Sequence, residues 1–347
     1  MSTASINRRT FVATSLGAAA AIALSACSSS STSGSSAGSS SAAANADIKM
    51  QAILISSSSQ VTAGQGNAMT AYAEAAGVDF SVSYYDQNIA TEATLIENAV
   101  SAGVDVLIVH NQSEGDCVDN INAAVEAGVV VLMYATEVPE AEYTLLYTED
   151  AYEAGQKEGE MAAAWAEENL VAAGQSVICA MGTYSVTQIA VDRGLGAQDK
   201  LLELIPDAEI VGTYEMAYKE EGLEVGENLL QSNPDVNLVL AINDQSGCGV
   251  MEAFVAAGKS ADECGIFGID GTDEGMYYIA TDSMFKGTVA IPTNEVGELL
   301  VQAGIDIMNG ESDYEVAGQT VETWESTAID ASNVNDYEDI WGYLAEE

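Results

Sequence analysis

From Asp47 onward, short β-branched and apolar runs alternate with longer stretches rich in alanine and glutamate, and this alternation restricts the fold more than any other feature. In the first half, each helical stretch ends beside a glycine, which supplies the left-handed helix C-cap at no steric cost. Such a series predicts an α/β fold with a doubly wound parallel sheet. The predicted strands are Met50–Ile55, Phe80–Tyr85, Val104–Val109 and Val129–Tyr134, and the predicted helices are Ala68–Ala76, Ala90–Ala102 and Asp116–Ala127.

A second series of the same kind follows a long helical stretch, Tyr152–Ala172. Two similar halves in one chain predict two lobes, each built on its own sheet. The predicted strands are Ser176–Met181, Glu209–Tyr214, Leu238–Ile242, Gly265–Ile269, Gly287–Ile291 and Thr320–Trp324. The predicted helices are Ile189–Leu204, Glu221–Gln231, Gly249–Ala257, Glu274–Asp282, Glu295–Met308 and Asn333–Leu344.

The loops after the predicted strands are rich in hydroxyls, amides and tyrosines. Because ligands of open α/β sheets bind beyond the carboxyl ends of the strands, two facing sheets would line a cleft with these loops. Such groups suit a neutral, polyhydroxylated or mixed ligand. The ligand contacts predicted from these loops include Ser59, Gln60, His110, Tyr134, Thr136, Tyr184 and Asn294.

The N-terminus has the pattern of an export signal. Arg8 and Arg9 precede an apolar run over Leu16–Leu24 that is too short to span a bilayer. The run ends in Leu24-Ser25-Ala26-Cys27, which resembles the lipobox of bacterial lipoproteins. That resemblance implies a signal peptide over 1–27, a lipid on Cys27 and a location on the outer face of the cytoplasmic membrane. An ordinary signal peptide is the alternative, and both the twin-arginine and the general export routes stay open.

Residues 28–46 consist of Ser, Gly, Ala and Thr apart from Asn45, and they predict a flexible tether. Beyond Cys27 there are 7 basic residues (9 less Arg8 and Arg9) against 54 acids, a net charge of 7 − 54 = −47. Such a field repels nucleic acid, which is therefore excluded as a partner. With His110 as the only histidine and no Cys-x-x-Cys, the sequence predicts no metal site, no cofactor and no catalytic triad.

Four further cysteines, Cys117, Cys179, Cys248 and Cys264, are predicted to be buried free thiols, because the last two fall at opposite ends of one predicted strand–helix unit. The segment Gly64-Gln65-Gly66, followed by Asp86, imitates a dinucleotide fingerprint. Its third glycine is missing, and it is interpreted as part of a loop that is too long for the tight turn such a site needs.

In the second half, Ala241-Ile242-Asn243-Asp244 is followed by Phe267-Gly268-Ile269-Asp270-Gly271-Thr272, and Arg193-Gly194 precedes both. These motifs resemble the ribose-binding-protein family of type I periplasmic sugar-binding proteins, over about Ile48 to Asp339. The resemblance implies two lobes joined by three crossovers near Thr148, Ile291 and Thr323. The lobes would be 47–148 plus 292–322 and 149–291 plus 323–347.

The same resemblance implies ligand contacts by Arg193, Asn243, Asp270 and Tyr218, all in the second lobe. Arg193 could instead pair with an acid of its own helix, and Asp270 could cap the following helix. In the first lobe the chain departs from the family, with Ala135-Thr136 in place of an Asp-Arg pair. We therefore expect the second lobe to carry a preformed half-site and the first lobe to select the ligand.

The resulting prediction is a lipid-anchored solute-binding protein of an ABC importer that binds a sugar and docks on a permease. A nucleoside or another sugar derivative is the alternative ligand. A sensory lipoprotein, a cell-surface hydrolase and an adhesin are the alternative functions.

Overall fold

The computed structural model describes residues 45–337, and within that span the chain forms two six-stranded sheets. The predicted signal peptide, Cys27, nearly all of the tether and residues 338–344 of the predicted last helix lie outside the described residues. The strands are β1 Lys49–Leu54, β2 Asp79–Tyr84, β3 Val106–Val109, β4 Val130–Tyr134, β5 Leu145–Glu149, β6 Ile178–Thr183, β7 Glu209–Glu215, β8 Leu238–Leu240, β9 Gly265–Asp270, β10 Phe285–Ala290, β11 Thr320–Trp324 and β12 Thr327–Asp330.

The helices lie between these strands. They are α1 Gln60–Ala76, α2 Ile89–Ala102, α3 Val118–Glu126, α4 Ala151–Ala166, α5 Gln188–Leu204, α6 Lys219–Ser232, α7 Asp244–Ala256, α8 Asp273–Ala280 and α9 Thr293–Asn309. A π-helical turn over Glu167–Val171 continues α4, and a 3₁₀ turn over Val334–Tyr337 follows β12. Side chains of Ser59, Asn88, Thr187 and Thr272 cap α1, α2, α5 and α8 at their first turns.

The strand order is β11-β5-β4-β3-β1-β2 in sheet 1 and β12-β10-β9-β8-β6-β7 in sheet 2. Strand β12 runs antiparallel to β10, and the other pairs in both sheets are parallel. The predicted fold class, two doubly wound parallel-sheet lobes, is therefore confirmed. The antiparallel edge strand β12 and the strand β5 were absent from the sequence prediction.

Helices cover both faces of each sheet, so each sheet has two apolar cores. In sheet 1, Leu132 and Tyr134 face α1 and α9, whereas Val131 and Met133 face α2 and α3. The central strands β3 and β4 are buried on both faces, and this explains why they are continuous apolar runs rather than alternating ones.

The chain passes between the two sheets three times, after β5, after β10 and after β11. We call the part built on sheet 1 the N-lobe and the part built on sheet 2 the C-lobe. The residue boundaries predicted for the lobes, at 148/149, 291/292 and 322/323, remain a proposal, whereas sheet 1, which defines the N-lobe here, extends to Glu149 and Trp324. Because strands cross directly into the opposite lobe, the residues at their ends lie close to both lobes.

Helices α4 and α5 pack through glycines, and this contact positions the most buried cation of the C-lobe. A Cβ atom added at Gly155 would lie 2.0 Å from the backbone oxygen of Arg193, and one at Gly196 would lie 2.1 Å from that of Tyr152. Only glycine allows two helix backbones to approach this closely. The close approach places Arg193 of α5 against α4, where its side chain reaches Glu149 at the end of β5.

Several element boundaries differ from the prediction. Helix α1 begins at Gln60 rather than Ala68, so the long loop predicted before Gly64 is wrong. Because Gly64-Gln65-Gly66 is helical, it does not form the tight turn of a dinucleotide site. The four cysteines within residues 45–337 have free thiols as predicted, although Cys117 is only partly buried and Cys248 lies inside α7. Among the described residues, no helix has the length and apolarity needed to cross a bilayer.

Candidate functional site

The centre of the interlobe region is a buried ion-pair cluster of Arg193, Glu149 and Asp270. The Arg193 Nη2 atom lies 2.6 Å from Glu149 Oε1, and Arg193 Nη1 lies 3.0 Å from Asp270 Oδ1. Arg193 Nη1 also donates to the carbonyl of Ile242 at 3.1 Å. Glu149 ends strand β5 of the N-lobe, so this cluster joins the two lobes. Pairing of Arg193 with an acid of its own helix, the alternative left open by the sequence, is wrong.

Burial sets the electrostatics of this cluster. Burial alone would lower the pKa of Arg193, but the charges of Glu149 and Asp270 outweigh it and raise that pKa. Burial raises the pKa of Asp270 to about 6, although Arg193 opposes the shift. Asp270 also has a positive φ of 122°, a backbone conformation that favours glycine, so its neighbours must hold it there.

A third buried carboxylate, Asp244, provides much of that support. It accepts hydrogen bonds from the backbone N–H of Thr272 at 2.7 Å and from the hydroxyl of Thr288 at 2.6 Å. Burial and the charge of Asp270 raise its pKa to about 7. Asp244 thus ties the start of α7 to the turn after β9, while Thr272 rather than Asp270 caps α8.

Asn243 lies beside Ile242, but its side chain is occupied within the C-lobe. Its Oδ1 accepts from the N–H of Ser246 at 3.0 Å, and its Nδ2 donates to the carbonyl of Ala217 at 2.8 Å. It is the N-cap of α7. Because Oδ1 also accepts from the hydroxyl of Ser246 at 2.7 Å, the predicted contact of Asn243 with a ligand would have to use the remaining amide hydrogen.

Two predicted C-lobe tyrosines, Tyr184 and Tyr218, meet a single N-lobe side chain. Gln87, which follows β2, donates to the Tyr218 hydroxyl and accepts from the Tyr184 hydroxyl at 3.4 Å. A further interlobe bond links Gln245 Nε2 to the carbonyl of Ser58 at 3.4 Å. The two lobes are therefore in contact along one margin of the cleft.

The N-lobe side of the cleft is a row of aromatic residues at the carboxyl ends of sheet 1. The rings of His110 and Tyr134 are 4.7 Å apart, and those of Tyr134 and Trp324 are 5.8 Å apart. Strand register places Trp324 beside Glu149 and Tyr134 beside Tyr147. Because register partners in a parallel sheet point to the same face, the row and the Glu149 carboxylate lie on one face.

This face carries buried polar atoms without hydrogen-bond partners. They are both amide atoms of Gln65, Nδ1 of His110, Nε1 of Trp324 and Oε2 of Glu149. Gln65 is fully buried on α1 and lies near the Tyr134 hydroxyl, but neither of its amide atoms makes a hydrogen bond of acceptable geometry. Buried polar groups are otherwise almost always paired, so a cluster of exceptions marks a place that receives a polar partner.

The titratable members of the row are held neutral. Burial lowers the pKa of His110 to about 4, so its imidazole is uncharged at neutral pH. Burial, with Glu149 next in effect, raises the pKa of Tyr134. A neutral imidazole offers one donor and one acceptor, and a phenol hydroxyl offers both.

The remaining predicted residues are at the margins of the site. Thr136 is buried next to Ala135, which has a positive φ of 62°. Ser59 caps α1, and its hydroxyl accepts from the N–H of Thr62 at 3.3 Å. Exposed Gln60 and Asn294 line a groove of about 1030 Å³ that also includes Gly271 and Thr272 but none of Arg193, Asn243 and Asp270.

The structure therefore brings together Arg193, Asp270, Asn243, Tyr134 and His110, and it places Gln60 and Asn294 apart from them. Sequence reasoning missed Glu149, Gln65, Gln87 and Trp324. A signal existed for Gln65, since Ser59 is a good helix cap and Gln65 shares a helix face with buried Met69 and Ala73. No comparable signal existed for Glu149 and Trp324, which become neighbours only through strand register.

Within residues 45–337, no group of three His, Cys, Asp or Glu side chains is arranged to hold a metal ion. The arrangement consists of hydrogen-bonding groups, aromatic faces and ion pairs. Such a set can recognise a polar molecule by hydrogen bonds.

The sequence is similar to those of two bacterial binding proteins, among others. The ABC transporter periplasmic-binding protein YphF of Escherichia coli K12 is 26% identical over 232 residues, which cover 66% of this chain and 70% of YphF. The ribose import binding protein RbsB of Bacillus subtilis 168 is 29% identical over 219 residues, which cover 62% of this chain and 67% of RbsB.

The fold is shared with the periplasmic binding protein component of the arabinose ABC transporter from Shewanella sp. ANA-3, solved with bound L-arabinofuranose. The TM-score is 0.75 at 19% identity, and the match covers 86% of this chain and 97% of that one. The model of the periplasmic binding protein domain matches residues 52–312, which is most of the chain. This protein therefore belongs to the periplasmic binding protein family.

Proposed function

We propose that this protein captures a small polyhydroxylated solute, a sugar or a related polyol, between its two lobes and delivers it to the permease of an ABC importer. The observation that carries the proposal is the set of unpaired buried polar atoms on the N-lobe, opposite Arg193 and Asp270. Leaving such an atom unpaired costs about 1–3 kcal/mol. A ligand that pairs several of them would recover much of that free energy on binding.

A polyol has the right chemistry for this task. Each hydroxyl donates one hydrogen bond and accepts others, so it can serve the Trp324 N–H as well as the Glu149 carboxylate. The ring faces of Tyr134 and His110 offer apolar surface for the carbon skeleton. The names of the relatives support the same class, since one imports ribose and the structural neighbour held arabinofuranose.

Closure of the lobes over the solute would complete the site. The bonds from Gln87 to Tyr184 and Tyr218 join the lobes directly, so they favour the closed arrangement. A solute shifts the balance between open and closed forms only by its different affinity for the two. Contacts made to both lobes at once supply that difference.

The anchoring at Cys27 is a part of this proposal that rests on the lipobox resemblance alone. We expect the wild-type protein to fractionate with membranes and to incorporate a labelled fatty acid when it is made in a bacterium that processes lipoproteins. Cys27→Ser should abolish the label and leave the exported protein in the soluble fraction. Label retained in Cys27→Ser would contradict the anchor without affecting the binding site.

Binding itself is tested by mass spectrometry of the small molecule that co-purifies, followed by calorimetry with that molecule. We expect Asp270→Ala to weaken binding at least tenfold. Glu227→Ala, an exposed acid on α6, is the matched control and should bind like the wild type. Unchanged affinity in Asp270→Ala would show that the solute does not bind in the cleft. Thermal-shift screens in which no sugar or polyol stabilises the protein would reject the proposed class of solute.

A further inference from the structure

The ion-pair cluster of the cleft has an excess of negative charge. Arg193 is the only arginine beyond Arg9, and its guanidinium contacts two carboxylates, Glu149 and Asp270. One positive and two negative charges leave one negative charge without compensation. The three side chains are all at most 11% exposed, so water screens that charge poorly.

No lysine supplies the missing positive charge. Among the described residues, Lys157 pairs with Glu153 and Lys219 pairs with Glu252 and Glu274, all away from the cluster. Lys200 pairs with Glu203 and Lys286 pairs with Asp282, each within four residues along the chain, and Lys49 is exposed at the first residue of β1. Lys259 donates to the carbonyl of Val236.

The nearby acids supply no compensating positive charge. Glu158 on α4 and Asp244 on α7 are buried beside the cluster, and burial raises both pKa values, that of Glu158 well above its usual range. Their charged forms are therefore disfavoured, although Arg193 partly opposes the shift at Glu158, and the uncompensated charge of the cluster stays with Glu149 and Asp270. The cleft repels an anionic solute.

The uncompensated charge has a defined position. Glu149 uses Oε1 for both bonds to Arg193, and its Oε2 is buried without a partner beside Trp324. A solute hydroxyl would hydrogen-bond to this oxygen but would leave the charge of the cluster uncompensated. An ammonium group would donate to the same oxygen and would also balance that charge.

Resting on the proposed function, we infer that the solute is a polyol that carries a basic amine, such as an amino sugar or an aminocyclitol, with its ammonium group against Glu149 Oε2. The other unpaired atoms, in Gln65, His110 and Trp324, serve its hydroxyls. Neutral sugars of the same shape bind more weakly, and sugar acids are excluded.

The test is calorimetry of the wild-type protein with sets of solutes that share one skeleton. Each set contains a neutral sugar, its amine, its N-acetyl amine and its uronic acid: D-glucose, D-glucosamine, N-acetyl-D-glucosamine and D-glucuronate, with the galacto series as the second set. In any set that binds, we expect the amine to bind at least tenfold tighter than the neutral sugar. The N-acetyl amine should gain nothing, because it has no charge, and the uronate should not bind measurably.

The variant Glu149→Gln keeps the shape of the side chain and removes its charge. We expect it to reduce the preference for the amine to below about threefold. If this variant does not fold, the wild-type preference within each set decides alone. A neutral sugar that equals or exceeds its amine, or a co-purifying solute without an amine, would overturn this inference and leave the proposed function standing. Absence of binding by every sugar and polyol tested would overturn both.

Discussion

The two halves of the cleft are built differently. In the C-lobe, Asn243, Asp244 and Asp270 are bonded to groups of that lobe, and Asp244 accepts from Thr272 in the turn after β9 and from Thr288 on β10. In the N-lobe, Gln65 and Trp324 are just as buried, yet their polar atoms have no partners. The C-lobe half therefore stabilises the fold as well as recognising the ligand. The unpaired atoms of the N-lobe half lower the stability of the free protein and gain hydrogen bonds only when a ligand binds.

The sharpest test of this contrast is Arg193→Met. Removing one partner of a buried ion pair leaves uncompensated charge and typically costs about 3–5 kcal/mol. We expect that loss in the free energy of unfolding, measured by denaturant titration, together with loss of solute binding. Lys200→Met removes a surface pair with Glu203 and should leave stability nearly unchanged. A fully stable Arg193→Met would contradict a folding role for the C-lobe half.

The next largest effect is expected in the pH dependence of stability, to which carboxylates of both lobes contribute. Burial raises the pKa of Glu92 to about 8, that of Asp244 to about 7, that of Asp270 to about 6 and that of Glu158 well above its usual range. Groups with raised pKa bind protons more tightly when folded, so stability is lost as pH rises through these values. We expect the free energy of unfolding to increase by several kcal/mol between pH 8 and pH 5.

His110 opposes this trend, because burial lowers its pKa to about 4 and its contribution is lost as pH falls below about 6.5. Thermal unfolding at a series of pH values provides the measurement. Asp244→Asn removes a carboxylate of the C-lobe and Glu92→Gln removes one of the N-lobe. Each change should make the melting temperature depend less on pH. A melting temperature that is highest at pH 8 would show that these carboxylates are not held as described.

Replacement of Gln65 by leucine probes the opposite half. The change removes two unpaired buried polar atoms, so we expect unfolding free energy to stay constant or to rise by about 1 kcal/mol. Solute affinity should fall at least tenfold in calorimetry. The matched control is Met69→Ala on the same face of α1, which should lose about 2–5 kcal/mol of stability and keep its affinity while folded. A Gln65→Leu protein that is less stable but binds normally would reverse the assignment.

The smallest effect is expected at the bonds between the lobes. Gln87→Ala removes the contacts with Tyr184 and Tyr218, which favour the closed form. A hydrogen bond contributes about 0.5–1.5 kcal/mol, so we expect affinity to fall roughly two- to tenfold. Tyr218→Phe, which lacks only the hydroxyl, should reproduce part of this loss. Faster solute release in stopped-flow experiments would accompany it, whereas tighter binding would contradict a closing role.

Most of the fold could be predicted from the sequence, because strands buried on both faces are conspicuous apolar runs. The motif resemblance to sugar-binding proteins is confirmed by the family match, and with it the prediction of a binding protein rather than an enzyme. Strand β5 was missed because its last residues, Thr148 and Glu149, are polar. The start of α1 was missed because the segment from Gln60 to Asn67 is rich in glycine and polar residues, which are weak helix formers.

The residues of the site likewise divide into those that the sequence could predict and those that it could not. Arg193, Asn243 and Asp270 lie within recognisable sequence motifs, so the sequence could locate them. Glu149 and Trp324 meet through the pairing of β5 with β11, which are far apart in the chain. Neither residue belongs to a motif, and register between distant strands depends on the packing of the whole lobe.

The most direct measurement is the crystal structure of the protein with its co-purified solute. We expect one molecule held by Arg193 and Asp270 on the C-lobe side and by Gln65, His110 and Trp324 on the N-lobe side, with each of the last three paired. A solute lodged in the groove beside Gln60 and Asn294, with the buried N-lobe atoms still unpaired, would contradict it.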